Sequence, residues 1–370
     1  MKRPILQRPP LNRRRASTAF AVIVFLIVVL RVLAATNADI VEHGYARAIY
    51  PRIAAVLTAV TGSIPFSIAE LAVLLVIVGA LVAAVRAIRR IRRASSPIHA
   101  LGDSLMRTAI AVSLVYLVFL LLWGFNYQRA PLAASVGLAM AAPQPGELAA
   151  ACAELIQESE KLRAGVPEDT NGIAMVRGGA AGALTRASLG YDGLDDQWPI
   201  LAGDPVPAKR ILLSPVLAYL GMSGVFMPFT GEANVNTTLP EWTLPFVAAH
   251  EIAHQRGFAR EDEANYLAYA SCSRHEDPVA RYSAALQGSL YTLAALRAVD
   301  PAAYQALQSQ RGPAVKRDLD ALEAWRRRYE SRAAGVHEKV NDAYLRAQGT
   351  DGVTTYGRMV DLLLAERRTR

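Results

Sequence analysis

The stretch LPFVAAHEIAHQRGFAREDEANYLAYA, residues 244–270, decides how this chain is read. It holds His250, Glu251 and His254 in the order H-E-x-x-H. Residues four apart share one face of a helix, so both imidazoles can reach one cation with Glu251 beside it. Three protein donors and one open position make a catalytic zinc site, where such a glutamate takes a proton from water. Gly257, three residues after His254, offers a place for the helix to end and the chain to reverse. Glu261-Asp262-Glu263-Ala264-Asn265 then opens a second apolar-periodic run with the acidic start that a helix N-terminus favours. A carboxylate from this run can swing back as third ligand, and Zn²⁺ is the expected cofactor.

HEIAHQRGFAREDEANYLA resembles the signature of a family of bacterial membrane proteins that are zincin-like in sequence and of unknown function. PFSIAEL (65–71), WGFNYQRAPL (123–132) and PFTGEANVN (228–236) extend that resemblance over most of the chain. The E-x-x-A-N run is similar to the third-ligand helix of gluzincin-type metallopeptidases. That resemblance implies Glu261 as third ligand and Asn265 as its neighbour one turn on. The spacing from His254 is shorter than in most gluzincins, which leaves Glu263 as the alternative ligand. On one helix the two glutamates are rotated by about 200° from each other, so only one can face the metal.

Working outward, the composition points to a membrane protein. The chain has 370 residues, is 52% hydrophobic and carries a net charge of +8. Residues 1–124 hold 15 Lys/Arg against 4 Asp/Glu, whereas residues 125–370 hold 25 against 28. The basic excess therefore belongs to membrane-flanking segments, where it sets topology, and argues against a nucleic-acid partner. Met1 to Arg15 reads as a disordered, basic cytoplasmic tail. Spans are expected at about 17–36, 64–85 and 107–124. The first is long for a signal-peptide core, so an uncleaved anchor is preferred, with Arg31 snorkelling at its far end. Asn37 to Ser63 forms an outer loop whose IYPRIAAVLTAV suits a helix lying on the membrane surface. Glu70 reads as an interfacial carboxylate, and Arg86 to Arg107 as a cytoplasmic loop. The positive-inside count then puts residues 125–370 outside.

Only that last portion is long enough for a folded domain. Leu148 to Ala164 has helical periodicity, and Gly178 to Pro207 reads as loops. Arg210 to Leu217 suits a strand, and Gly224 to Asn236 a bent or edge strand. By analogy with zincins, where an edge strand before the metal helix holds extended peptide, Ala233, Asn234 and Val235 are candidates to line the cleft. Segments 278–300 and 313–347 read as long helices, and Thr354 to Glu366 as a closing helix with Asp361 and Glu366 outward. His337, Tyr356 and Tyr291 are candidate donors to an oxyanion. Cys152 and Cys272 lack metal-site spacing, although a bridge between them is compatible with export.

The expected architecture is an α-helical membrane anchor of three transmembrane helices, residues 1–124. A mainly α, α+β zincin-like metallopeptidase domain with a small sheet, residues 125–370, follows it. In this reading His250, His254 and Glu261 hold Zn²⁺, Glu251 is the general base, and an extracytoplasmic peptide or protein is the substrate. A site-two type intramembrane protease fits poorly, because Arg256, Arg260, Glu261, Asp262 and Glu263 interrupt the apolar run. The other class is a membrane-anchored binding or signalling protein that keeps the fold without hydrolysis. The intact Glu251 favours the enzyme.

Overall fold

Apolar stretches set the first part of the structure, a computed structural model that describes residues 12–203, 206–352 and 358–369. Among the described residues, three helices are long and apolar enough to cross a membrane: α1 (Arg13–Thr36), α3 (Ile68–Arg93) and α4 (Pro97–Leu122). Between them a wide, π-helical stretch (Ile40–Ile49) runs into α2 (Tyr50–Thr61), so the expected outer loop is helical throughout most of its length. The basic segment after residue 85 is not a loop either. Arg86 to Arg93 complete α3, and Ala94–Ser96 alone separate it from α4. Arg and Ala are good helix formers, and arginine stems can lie along a helix while their charges reach headgroups.

The remaining helices are arranged mostly around one core. They are α5 (Leu132–Val136), α6 (Pro145–Arg163), α7 (Gly179–Arg186), α8 (Asp192–Gln197), α9 (Ser214–Tyr219), α10 (Leu244–Gln255), α11 (Glu261–Ser273) and α12 (Pro278–Val299). After them come α13 (Pro301–Ser309), α14 (Pro313–Arg328), α15 (Arg332–Ala347) and α16 (Met359–Thr369). α6 packs lengthwise on α12, and α10 and α11 lie against them. A buried Arg163–Asp318 pair (2.6 Å) fixes α14 to this core, with the Tyr282 hydroxyl donating to the same carboxylate.

The sheet has three short strands, β1 (Lys209–Arg210), β2 (Gly224–Met227) and β3 (Glu232–Val235), in the order β1-β3-β2. β1 runs parallel to β3, and β2 and β3 form a hairpin. Its turn is closed at Gly231, whose φ of +68° favours glycine.

Several expected elements change. The stretch 224–236 is a hairpin rather than one bent strand, because Pro228 and Gly231 form a turn between two pairing segments. The second half of residues 210–217 is helical, not strand: Pro215 lies in the first turn of α9, where its missing N–H costs nothing. Helices α7 and α8 occupy part of the expected loop 178–207, with Ala183, Leu184 and Leu194 buried. The helix expected over 313–347 breaks near residue 330, where Ser331 caps α15 by accepting from Ala334 N. Glu366 is buried and bonded to Arg274 at 2.7 Å instead of facing outward. Cys152 and Cys272 are separate buried thiols, not a bridge.

Anchor and core cap each other across the first turn of α3. The buried Glu232 carboxylate on β3 accepts from the amides of Ile68 (3.0 Å) and Ala69 (2.6 Å). It also pairs with Lys209 Nζ at 2.7 Å, which donates in turn to the Thr61 carbonyl at 2.7 Å. In return Glu70 accepts from the amides of Leu212 (3.0 Å) and Leu213 (2.6 Å) just ahead of α9. A carboxylate at a helix N-terminus also meets the positive end of the helix dipole. Replacing Glu232 by Ala strands a buried lysine and two amides, at a cost of about 3–5 kcal/mol. Thermal unfolding of the full chain in detergent should show a much larger drop for Glu232→Ala than for the half-buried Glu70→Ala. Equal small shifts would contradict this coupling.

Candidate metal centre

Every residue of α10 except His250 is buried. A helix that is apolar nearly all round is a core helix, so its polar residues need specific partners. The helix ends where Gly257 takes a φ of +87°. Phe258 N bonds to the Ala253 carbonyl (3.1 Å) and Gly257 N to that of His254 (2.9 Å), the paired bonds of a Schellman ending. The reversal aims the Phe258 carbonyl at His254 Nδ1, 2.7 Å away. Nδ1 therefore carries a proton and donates to that carbonyl, so Nε2 is the ring nitrogen turned toward the cluster.

The chain then re-enters as α11 with Glu261 at its first position. His254 Nε2 lies 3.1 Å from His250 Nε2, and Glu261 Oε2 lies 3.3 and 3.7 Å from the two nitrogens. Tetrahedral donors on a zinc-sized ion sit about 3.3–3.4 Å apart, given bonds of about 2.0–2.1 Å. The three observed distances bracket that spacing, so these three side chains can hold a metal ion. Electrostatics agree with the geometry. Burial opposes charge on His254, yet Glu261, Glu251 and the Phe258 carbonyl together hold its imidazole up at about 9. Burial likewise opposes charge on Glu261, but the two imidazoles hold its carboxyl well below the ordinary range. Positive charge is favoured where the three side chains meet.

Glu251, buried beside the triad, has its carboxyl pKa raised by burial, with the two imidazoles and the Phe226 amide pulling the other way. A side chain at Gly224, the first residue of β2, would overlap the Glu251 carboxylate. The edge strand β2 can therefore lie directly against this group.

The triad forms part of the floor of a cleft of about 860 Å³. One wall is Met222–Phe226, mainly β2, and the other is α15, with His337, Asn341 and Tyr344. Phe119 and Trp123 at the end of α4 line it as well. Of the expected residues, Asn265 lines the cleft one turn beyond Glu261, Tyr291 reaches it from α12 and His337 from α15. Tyr356 lies outside the described residues. Ala233, Asn234 and Val235 are not at the cleft: they form the buried central strand β3, because β2 takes the edge. Glu263 points away from the triad. It accepts from Leu132 N (2.7 Å) at the start of α5, faces Arg260 at 3.8 Å, and burial pushes its carboxyl up to about 7.

Sequence reasoning missed what holds the metal helix in place. The Trp123 indole donates to the His254 carbonyl (3.2 Å), the Tyr50 hydroxyl to that of Gln255 (2.7 Å) and Arg129 to that of Gly257 (2.9 Å). Arg129 also stacks on the Phe258 ring at 4.2 Å and pairs with buried Glu42 at 3.3 Å. No local pattern marks these partners, although aromatic residues just after an apolar run hint at an interface.

Fold and site together define a helical protein with three membrane-length helices and a histidine–glutamate donor cluster at a cleft. Residues 45–364 match the family described as Protein of unknown function (DUF3810), and the chain belongs to that family. No curated protein and no solved structure matches it.

Glu42 supplies a pH test of the clamp. Burial raises its pKa, but Arg129 and Arg47 outweigh this and hold it below its ordinary 4.5. A depressed carboxyl stabilises the fold above its unfolded value, and that contribution is lost as pH falls through the folded value. Glu42→Gln should therefore lower the unfolding midpoint at pH 7 and shrink its fall below about pH 4.5. Thermal scans across pH 3 to 7 check this; an unchanged acid limb would contradict it.

Proposed function

We propose that this protein is a membrane-anchored zinc metallopeptidase acting on an extracytoplasmic peptide or protein. The observation that carries the reading is the triad His250, His254 and Glu261 at tetrahedral spacing, with buried Glu251 beside it in an open cleft. Two imidazoles and one carboxylate suit Zn²⁺, and three protein donors leave a fourth position for a ligand. On this reading α10 and α11 form a zincin-like unit of gluzincin type.

Zinc, when bound, supplies a Lewis acid that polarises a carbonyl and acidifies water. Glu251 takes the proton from the attacking water and returns it to the departing amine. Its raised pKa favours the first of these transfers, because a carboxylate of higher pKa is the stronger base. Tyr291 is kept protonated by burial and by nearby Glu261, so its hydroxyl can donate to the oxygen of the attacked carbonyl, as can His337. β2, at the sheet edge and along the cleft, is placed to pair with an extended peptide. Arginines at the start of α1 and the end of α3 set those ends in the cytoplasm and the cleft outside.

The full chain in detergent should bind about one zinc and cleave members of a peptide library. Glu251→Gln should keep the metal and lose cleavage, whereas the double variant His250→Ala, His254→Ala should lose the metal. Glu261→Gln should lower metal content and Glu263→Gln should not. Full zinc in the double histidine variant would refute the site. For orientation, reporter fusions at Ser95 and Gly349 should report opposite compartments, and equal signals would refute the topology.

A further inference from the structure

Two helices beside the cleft carry exposed apolar side chains. On α15, Ala334, His337, Asn341 and Tyr344 face the cleft, while Val336 and Val340 are 62% and 61% exposed. Ahead of and along α9, Leu212, Leu213, Val216 and Tyr219 are exposed too. Isolated exposed valines mean little, but hydrogen bonds fix the height of both faces. The amides of Leu212 and Leu213 bond to Glu70, in the first turn of membrane-length α3. The other end of α15 is tied just as low. The Ala347 carbonyl accepts from Arg31 of α1 at 2.6 Å, and the same arginine contacts the Tyr116 hydroxyl of α4 at 2.5 Å. Tyr116 precedes the end of α4 by six residues, about 9 Å of helix. The near end of α15 meets α9 where Ser331 donates to the Tyr219 carbonyl at 2.5 Å. A 16-residue helix spans about 24 Å, so α15 bridges from the α3 side of the anchor to the α1–α4 side. Phe119, within α4, lines the cleft beside α15.

We propose that α9 and α15 lie in the leaflet on the domain's side of the membrane, so that the cleft opens into lipid. Its ligand is then a peptide chain anchored in the same bilayer, presented by its membrane-flanking segment. The docking rests on the geometry alone; the peptide ligand rests on the metallopeptidase reading above. Lipid is the occupant because hydrogen bonds tie both helices to residues of the membrane-length helices, and amphipathic helices at that height seat in the headgroup–acyl boundary. A second copy of the chain over the same face would instead exclude lipid from it.

The full chain with Glu251→Gln, in phosphatidylcholine nanodiscs, carries a bimane label at Val336→Cys, Val340→Cys or Val216→Cys. Glu323→Cys on the exposed side of α14 is the control, and native Cys152 and Cys272 are buried. Exchange to dibromo-acyl lipid should quench the first three labels at least about two-fold and leave the control nearly unchanged. Absent quenching on α15 and α9, or equal quenching at all four sites, overturns the docking and leaves the metal site untouched. A second arm titrates acetyl- and palmitoyl-leucine hydroxamate against the cobalt-loaded full chain in nanodiscs, read by its visible spectrum. A lipid-facing mouth predicts half-saturation about ten-fold lower for the palmitoyl form. Weaker binding of that form, as partition withdraws it from water, overturns delivery from the membrane. No spectral response to either probe overturns delivery and the metal reading together.

Discussion

The C-terminal carbonyls of α10 have no partners within the helix itself, and the structure depends on how they are satisfied. Trp123, Tyr50 and Arg129 supply the donors, reaching the carbonyls of His254, Gln255 and Gly257. Two of those donors come from the segments that flank the spans. The position of His254, and hence of the whole triad, is set partly by residues at or near the ends of the membrane-length helices. A fragment beginning at residue 125 would lack Tyr50, Trp123 and Glu42, so the full chain is the unit in which the site has its structure. The exchange of carboxylate caps between Glu232 and Glu70 ties the sheet to α3 in the same way.

Three glutamates near the site illustrate how surroundings assign roles. All are buried or nearly so, and burial pushes each toward the neutral form. At Glu261 two imidazoles outweigh burial and keep the carboxylate charged, as a ligand requires. Glu251 meets weaker compensation and its pKa rises, as suits a group that takes and gives a proton. Glu263 faces an amide and a distant arginine instead, and serves the packing of α5 against α11. Two residues along α11 are enough to separate the carboxylate of the triad from a structural one.

What was legible in the sequence was local. The i, i+4 histidines, the Gly257 reversal and the rotation that separates Glu261 from Glu263 all follow from helix geometry within a dozen residues. Hydropathy located the three membrane-length helices, although it stopped at the first arginines while the helices continued through them. The run 210–217 was ambiguous because a short apolar stretch suits a strand or a helix, and Pro215 settled it locally. Strand order was invisible: whether β2 or β3 takes the edge depends on β1 pairing from fifteen residues upstream of β2. The clamp on α10 joins residues more than a hundred positions apart, and no periodicity records such a contact.

The central claim is that His250, His254 and Glu261 form a zinc site. Zinc K-edge X-ray absorption of the full-length protein, purified with its native metal, tests it most directly. The account predicts two imidazole nitrogens and one or two oxygens at about 2.0–2.2 Å, with no sulfur. A shell of sulfur at about 2.3 Å, or protein free of metal after zinc loading, would contradict it.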